Sequence, residues 1–502
     1  MSKLSPVDLS FLLLESPTRQ MHMTAYQVFR LPPRERHSFI PRLLAAYRSG
    51  PVAKPFNRKL KWLDKGVASW ETVEPDLRYH VRHIAVPAPG TMQSLSEIVS
   101  FLNSPLLDRS LPLWECYIIE GLEDDQFAIM VKVHHAMIDG MGALKLFDQC
   151  MSRSPADQGM NSIWMPMEQQ VKARPRSARP EAQGLLSRLG KLPGNLLQIG
   201  AGMAELGAQN LRLKPAASSL PFAAPKSLFN NTATSSERRY GSCEIPLARV
   251  KALAGATGTT VNDIAMTLID HALHGYLREH EAAIGKPLVA LMAMSVRAEG
   301  QEAAGNQAAA ELVAMGRPDA GLAERLQQIH TATGQIKASS SKLPVAVRQL
   351  YAMVLFGSTT LPDIAAAFKS MPSINLVISN MRGPQGQRYL AGAPMVAFQG
   401  CPIVPPGAGL NVSFVSLNDM ICLGVGATPE AVADPHRLTQ LILAALGELE
   451  TITLPRQQPR KQAAGKTGGK KSVAGRAPTK APTKKRRPKP QPKRGAKPGA
   501  GK

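Results

Sequence analysis

Proline punctuates one long stretch of this chain. Pro155, Pro166, Pro175, Pro180, Pro193, Pro215 and Pro221 fall between residues 155 and 225, among many Ser, Ala and Gly. Proline removes a backbone donor and breaks helices, so this interval reads as a linker rather than as core. The full length of 502 residues also exceeds what one hydrophobic core holds. The expected organisation is therefore a folded half over 1–155, a linker over 156–224 and a second folded half over 225–455. The linker contains a leucine-rich run, Gly184 to Leu213, that reads as surface helix, either packed on its own protein or touching lipid, and broken by Pro193.

The last segment differs in kind. Residues 456–502 hold 17 Lys and Arg and no Asp or Glu, leaving only +6 of the net +23 for the rest of the chain. A Lys/Pro/Ala/Gly tail cannot bury a core and is expected to be disordered. It suits anionic partners, such as a membrane or lipid-granule surface or nucleic acid, by counterion release. It lacks the aromatics that stack on bases. A merely solubilising tail fits as well.

Within the first half the strongest strand signal is Phe127 to Val133. Phe127, Ile129, Val131 and Val133 make one apolar face, while Ala128, Met130 and Lys132 are mixed. His134-His135-Ala136-Met137-Ile138-Asp139-Gly140 follows at once. Adjacent side chains at a strand end point to opposite faces, so one imidazole can face a cavity while the other packs inward. Imidazole titrates near neutrality and can take and return a proton. Asp139 can orient the loop, and Gly140 permits a sharp turn. Two plainer readings stand beside this one. The pair could be ordinary core, or metal ligands, though no third ligand is recognisable nearby. Met141, Leu144, Phe147 and Met151 then fall on one side of a helix.

In the second half, Thr260 to Leu277 reads as a helix, Pro287 to Met294, Ser373 to Ser379 and Asn411 to Val415 as strands, and Pro435 to Leu449 as a closing helix. The five cysteines are scattered without a CxxC pair, which argues against a disulfide framework or a zinc site and fits a reducing compartment. The apolar run Phe11 to Leu14 is too short for a signal-peptide core. The expected location is the cytoplasm, peripheral on the inner membrane or on lipid inclusions.

The string HHxxxDG at 134–140 resembles the signature of the coenzyme-A-dependent acyltransferases, which include chloramphenicol acetyltransferases and peptide-synthetase condensation domains. Further segments are similar to one branch, the bacterial wax ester synthase/diacylglycerol acyltransferases. They are Leu4-Ser5-Pro6-Val7-Asp8 with Phe11, Glu15 and Met21-His22-Met23, then Leu107-Asp108-Arg109 leading to Pro112-Leu113-Trp114-Glu115. After the linker come Pro225 to Asn230, Arg238-Arg239, Val261-Asn262-Asp263, Ser295-Val296-Arg297, Gly305-Asn306-Gln307 and Ser379 to Pro384.

That resemblance implies an α/β (mixed α+β) fold of two chloramphenicol-acetyltransferase-like domains, each a mixed sheet flanked by helices, with a tunnel between them. It implies His135 as the general base, with His134 sensitive and Asp139 structural, and acyl-CoA and a fatty alcohol or diacylglycerol as substrates. No metal or redox cofactor is implied. Asn262 reads either as an oxyanion donor at a helix N-terminus or as part of a cap, whereas Asp263 reads as structural. Trp114 belongs either to the tunnel wall or to the core. Ser379, Asn380 and Gly383 end a strand where substrate would bind, and Arg297 and Gly140 are motif residues of structural kind. Ser379 is not flanked as a nucleophile elbow, which disfavours a Ser-His-Asp hydrolase. The family's Ser-Tyr pair and Gly-rich turn are replaced here by Ser416-Leu417-Asn418-Asp419. Two rival functions are a silent relative that binds acyl-CoA or lipid without turnover, and a polyanion-binding protein acting through its tail.

Overall fold

The computed structural model describes residues 2–4, 6–63, 67–138, 140–166, 223–231, 233–295, 308–340, 359, 371–383, 385–405 and 407–454. These described residues form one compact unit. The expected helix over Gly184 to Leu213 and the basic tail lie outside the described residues.

In chain order the first half contributes β1 (Ser2–Lys3), β2 (His22–Arg30), β3 (Arg58–Leu63), β4 (Val67–Thr72), β5 (Val81–Ala85), β6 (Trp114–Leu122) and β7 (Gln126–His134). Its helices are α1 (Pro6–Leu14), α2 (Phe39–Tyr47), the short α3 (Leu77–His80), α4 (Met92–Asn103) and α5 (Gly140–Cys150). The second half contributes β8 (Arg239–Pro246), β9 (Val289–Ser295), β10 (Ala308–Ala314), β11 (Leu376–Arg382), β12 (Tyr389–Leu390), β13 (Ala393–Cys401), β14 (Leu410–Leu417) and β15 (Met420–Ala427). Its helices are α6 (Leu247–Thr257), α7 (Val261–Glu279), α8 (Leu322–Ser340) and α9 (Pro435–Thr453).

Two six-stranded mixed sheets dominate. The first runs β12-β13-β2-β7-β6-β5 and the second β10-β9-β11-β14-β15-β8. Strands β1, β4 and β3 make a small third sheet. Each large sheet combines parallel and antiparallel neighbours: β5 with β6 in the first, β9 and β14 each with β11 in the second, are parallel.

The hydrophobic alternation explains the layers. In β14, Leu410, Val412 and Phe414 enter the core beneath α7, α8 and α9. Val415 and Leu417, on the other face, join the core of the first half. In β7, Phe127, Ile129, Val131 and Val133 face one core and Ala128 and Met130 another, so this strand is covered on both sides. The odd member, Lys132, is buried. Its ammonium donates to the carbonyl of Leu102 at 3.2 Å and to that of Pro105, at the C-terminal end of α4, where the helix dipole favours a cation. Burial nevertheless pulls its pKa down to about 8.

Two features depart from the domain plan read in the sequence. Residues 156–166, expected to open the linker, pack into the first core through Ile163 and Trp164. Trp164 stacks on Trp114 with ring centroids 4.9 Å apart, and its carbonyl accepts the Ala53 N–H. The second departure is larger. Strands β12 and β13 come from the second half, yet β13 pairs antiparallel with β2, from Met395↔Phe29 to Cys401↔Thr24. A bulge between Met395 and Ala397 re-phases β13, so that Met395 and Phe398 both reach the same core. This strand also presses on the second sheet. A Cβ at Gly424 would lie 2.3 Å from the Gly400 carbonyl oxygen, and only glycine allows that approach.

Gly424→Ala should therefore force β13 and β15 apart. An overpacking cost of about 1–3 kcal/mol is expected, read as a lowered unfolding midpoint. An unchanged midpoint would show that the close approach is not required.

Candidate active site

A cavity of about 240 Å³ lies where the two large sheets face each other. Val131, Val133, Leu144 and Phe147 of the first half line it, with Ser379, Met381, Phe398 and Ser413 of the second. Its wall is mainly apolar. His135 and Cys401 are its titratable groups among the described lining residues. Burial pushes the Cys401 thiol well above the ordinary range, so it stays protonated.

The strand end splits the two histidines as alternation requires. His134 is fully buried. Its Nε2 lies 3.3 Å from Glu15 Oε1, and its Nδ1 accepts the Ala136 N–H at 3.1 Å. His135 turns into the cavity instead. Its backbone N–H donates to the Met21 carbonyl at 2.9 Å, and its ring stacks on Phe11 with centroids 4.4 Å apart. Gly140 begins α5 and also lines the cavity. Its φ lies outside the left-handed region, and a Cβ there would meet nothing within 4 Å. Asp139 and Arg297 lie outside the described residues.

The second-half motifs divide by the same rule. Along β11, Ser379 and Met381 face the cavity. Asn380 points the other way, where its Nδ2 donates to Asn262 Oδ1 at 3.2 Å. Asn262 also turns its own Nδ2 to Met266 Sδ at 3.3 Å. The two sequence motifs thus meet, but on the helix-covered side of the second sheet rather than on the cavity wall. Asp263 caps α7 through Thr260 and is held by Thr333 Oγ1 at 2.7 Å and His330 Nδ1 at 2.8 Å. Gly383 donates its N–H to the Ser416 carbonyl at 2.9 Å, and a Cβ there would lie 2.5 Å from that oxygen. Its part is close backbone packing. Trp114 is fully buried, with its Nε1 on the Phe56 carbonyl at 2.9 Å and its ring stacked on His80 at 4.4 Å. At this point the cavity wall is Phe56, and Trp114 supports it from behind.

A model of the wax ester synthase/diacylglycerol acyltransferase catalytic domain matches residues 4–265, and one of that family's C-terminal domain matches residues 304–450. The chain belongs to this family. It is similar to Tgs4, a probable diacylglycerol O-acyltransferase of Mycobacterium tuberculosis. The two are 52% identical over 461 residues, covering 90% of this chain and 97% of the relative. Among solved structures it is similar to the wax ester synthase/diacylglycerol acyltransferase from Marinobacter aquaeolei VT8. That match has a TM-score of 0.69 and 27% identity, and covers 90% of this chain and all of the other. The first condensation domain of the CDA synthetase shares the fold alone, with a TM-score of 0.52 and 14% identity over 90% of this chain and 96% of that one.

In this member of the family the departure at 416–419 is a tight hairpin. Leu417 pairs with Met420 across a two-residue turn in which Asn418 takes φ 52°, a conformation Asn tolerates. It leaves the cavity-facing part of β14 intact. Glu15 belongs to the N-terminal resemblance, and residue order alone does not place it beside His134. A carboxylate directly after Phe11-Leu12-Leu13-Leu14 and one helical turn from Phe11 was the available signal. Its Oε2 accepts from Arg109 Nη2 at 3.0 Å, and its Oε1 accepts the Met21 N–H at 3.2 Å. Burial drives the Glu15 carboxyl upward, but His134, Arg109 and the Met21 N–H outweigh it and hold it at about 2.

A carboxyl depressed from 4.5 to about 2 contributes stability that is present above 4.5 and lost as pH falls through 2. Wild-type protein should therefore lose unfolding free energy over that acid window. Glu15→Gln should flatten this part of the stability–pH curve, measured by denaturant unfolding from pH 6 to pH 2. An identical curve in the variant would count against the pairing.

Proposed function

We propose that this chain transfers a long-chain acyl group from acyl-CoA to a hydroxyl acceptor, with His135 as the base. The observation that carries this reading is the placement of His135. It is a titratable side chain on the wall of an apolar cavity shared by both sheets, in a protein of the acyltransferase family. The imidazole accepts the acceptor's O–H proton. The hydroxyl oxygen attacks the thioester carbon, a C–O bond forms, and the C–S bond breaks. The proton held by the imidazole passes to the departing CoA sulfur. Products are an ester and free CoA, and no acyl-enzyme is needed. The protonated Cys401 thiol supports direct transfer, since it is no ready nucleophile.

Diacylglycerol is the favoured acceptor, because the 52%-identical relative is named a diacylglycerol O-acyltransferase. A fatty alcohol is the second, because the Marinobacter structure carries both activities in its name. Asn262 and Asn380 support the second sheet in this reading, and Ser379 contacts the substrate. The chain acts without a metal or redox cofactor. In this reading lipid acceptors are reached by surface contact, with the basic tail as its cationic element; no helix among the described residues is long and apolar enough to cross a membrane.

The test supplies purified protein with palmitoyl-CoA and either dioleoylglycerol or hexadecanol and measures CoA release. Release is expected with dioleoylglycerol above hexadecanol, and His135→Ala should lower kcat by about 10²–10⁴-fold. Undiminished release in that variant would remove His135 as the base.

A further inference from the structure

We infer that Glu15 is a positioning residue for acyl transfer, one carboxylate that orients both histidines of the turn at 134–135. The inference rests on the acyltransferase reading for the reaction it serves. Glu15 does not line the cavity and its side chain is 1% exposed. Each of its oxygens is engaged. Oε2 takes Arg109 Nε at 3.3 Å and Nη2 at 3.0 Å, and Arg109 also donates to the Leu12 carbonyl at 2.7 Å. Arg109 thus neutralises the buried charge and ties it to α1. Oε1 faces the histidine turn.

Two routes lead from Oε1. The first passes through His134. Because the Ala136 N–H donates to Nδ1 at 3.1 Å, that nitrogen carries a lone pair, and the ring proton of the neutral form sits on Nε2, 3.3 Å from Oε1. The Ala136 N–H thus sets the tautomer, and the carboxylate facing Nε2 holds the ring orientation. The turn is closed by the Met137 N–H on the His134 carbonyl at 2.9 Å. The second route passes through Met21. Its N–H donates to Oε1 at 3.2 Å, and its carbonyl accepts the His135 N–H at 2.9 Å. A third contact comes from the same segment, as Phe11, four residues before Glu15, stacks on the His135 ring. One end of α1 thus sets the backbone, the neighbouring side chain and the ring face of the cavity histidine.

A small displacement of a reacting group costs up to about 10²-fold in rate, so Glu15→Gln should lower kcat by about 10–100-fold with KM for palmitoyl-CoA unchanged. Glu15→Asp should recover part of the loss. If the carboxylate acts through His134, Glu15→Gln should add little in a His134→Asn background, whereas independent structural effects would add. Long-range proton–nitrogen NMR of histidine-labelled protein gives a readout free of turnover. His134 should be protonated on Nε2 in the wild type, and its Nε2 signal should shift in Glu15→Gln as the facing charge is lost. Unchanged kcat in Glu15→Gln, additive losses in the double variant, or an unaltered His134 Nε2 signal would each overturn the role. Wild-type protein that releases no CoA would instead defeat the acyltransferase reading, and the His134 Nε2 signal would still decide what Glu15 holds.

Discussion

Strand β13 leaves the second half of the chain and hydrogen-bonds to β2 in the first. Much of the site depends on that pairing. It carries Phe398, Gly400 and Cys401 to the cavity wall, beside Met23 and Ala25 of β2. It also sets how close the sheets come, because the Gly400 carbonyl rests on Gly424 with no room for a side chain. Two separate halves joined by a linker could slide against each other. A shared sheet fixes their relation through backbone hydrogen bonds, which leave little freedom of register where both faces are buried.

Given that frame, alternation distributes the chemistry. At the end of β7 it sends His134 to Glu15 and His135 to the cavity. Along β11 it sends Ser379 to the cavity and Asn380 to Asn262. The result is a mainly apolar chamber with one imidazole on its wall, while the charged groups behind that wall meet the neighbouring histidine. Glu15 and Arg109 place their charges behind the wall, where each compensates the other.

Much of this was legible in residue order. The strand through Phe127 to Val133 is β7, extended by one residue at each end. The helix from Thr260 is α7, with Thr260 and Asp263 forming its capping box. Pro435 begins the closing helix at N1, where a missing N–H costs nothing. The ordered motifs pointed to the family that the domain matches show. What misled was proximity in sequence. Ser379 and Asn380 are neighbours, yet they serve opposite faces. Trp114 stands in a motif, yet it lies behind Phe56. Ile163 and Trp164 sit in a stretch punctuated by proline, yet they are core.

Local sequence thus determined the elements, their caps and the placing of a histidine pair at a strand end, because periodicity and capping act over a few residues. It could not determine that β13 would cross to β2, that Glu15 would meet His134, or that Asn380 would meet Asn262. Those contacts join segments far apart in the chain, and their free energy depends on desolvation and fit. Both exist only once the sheets have packed.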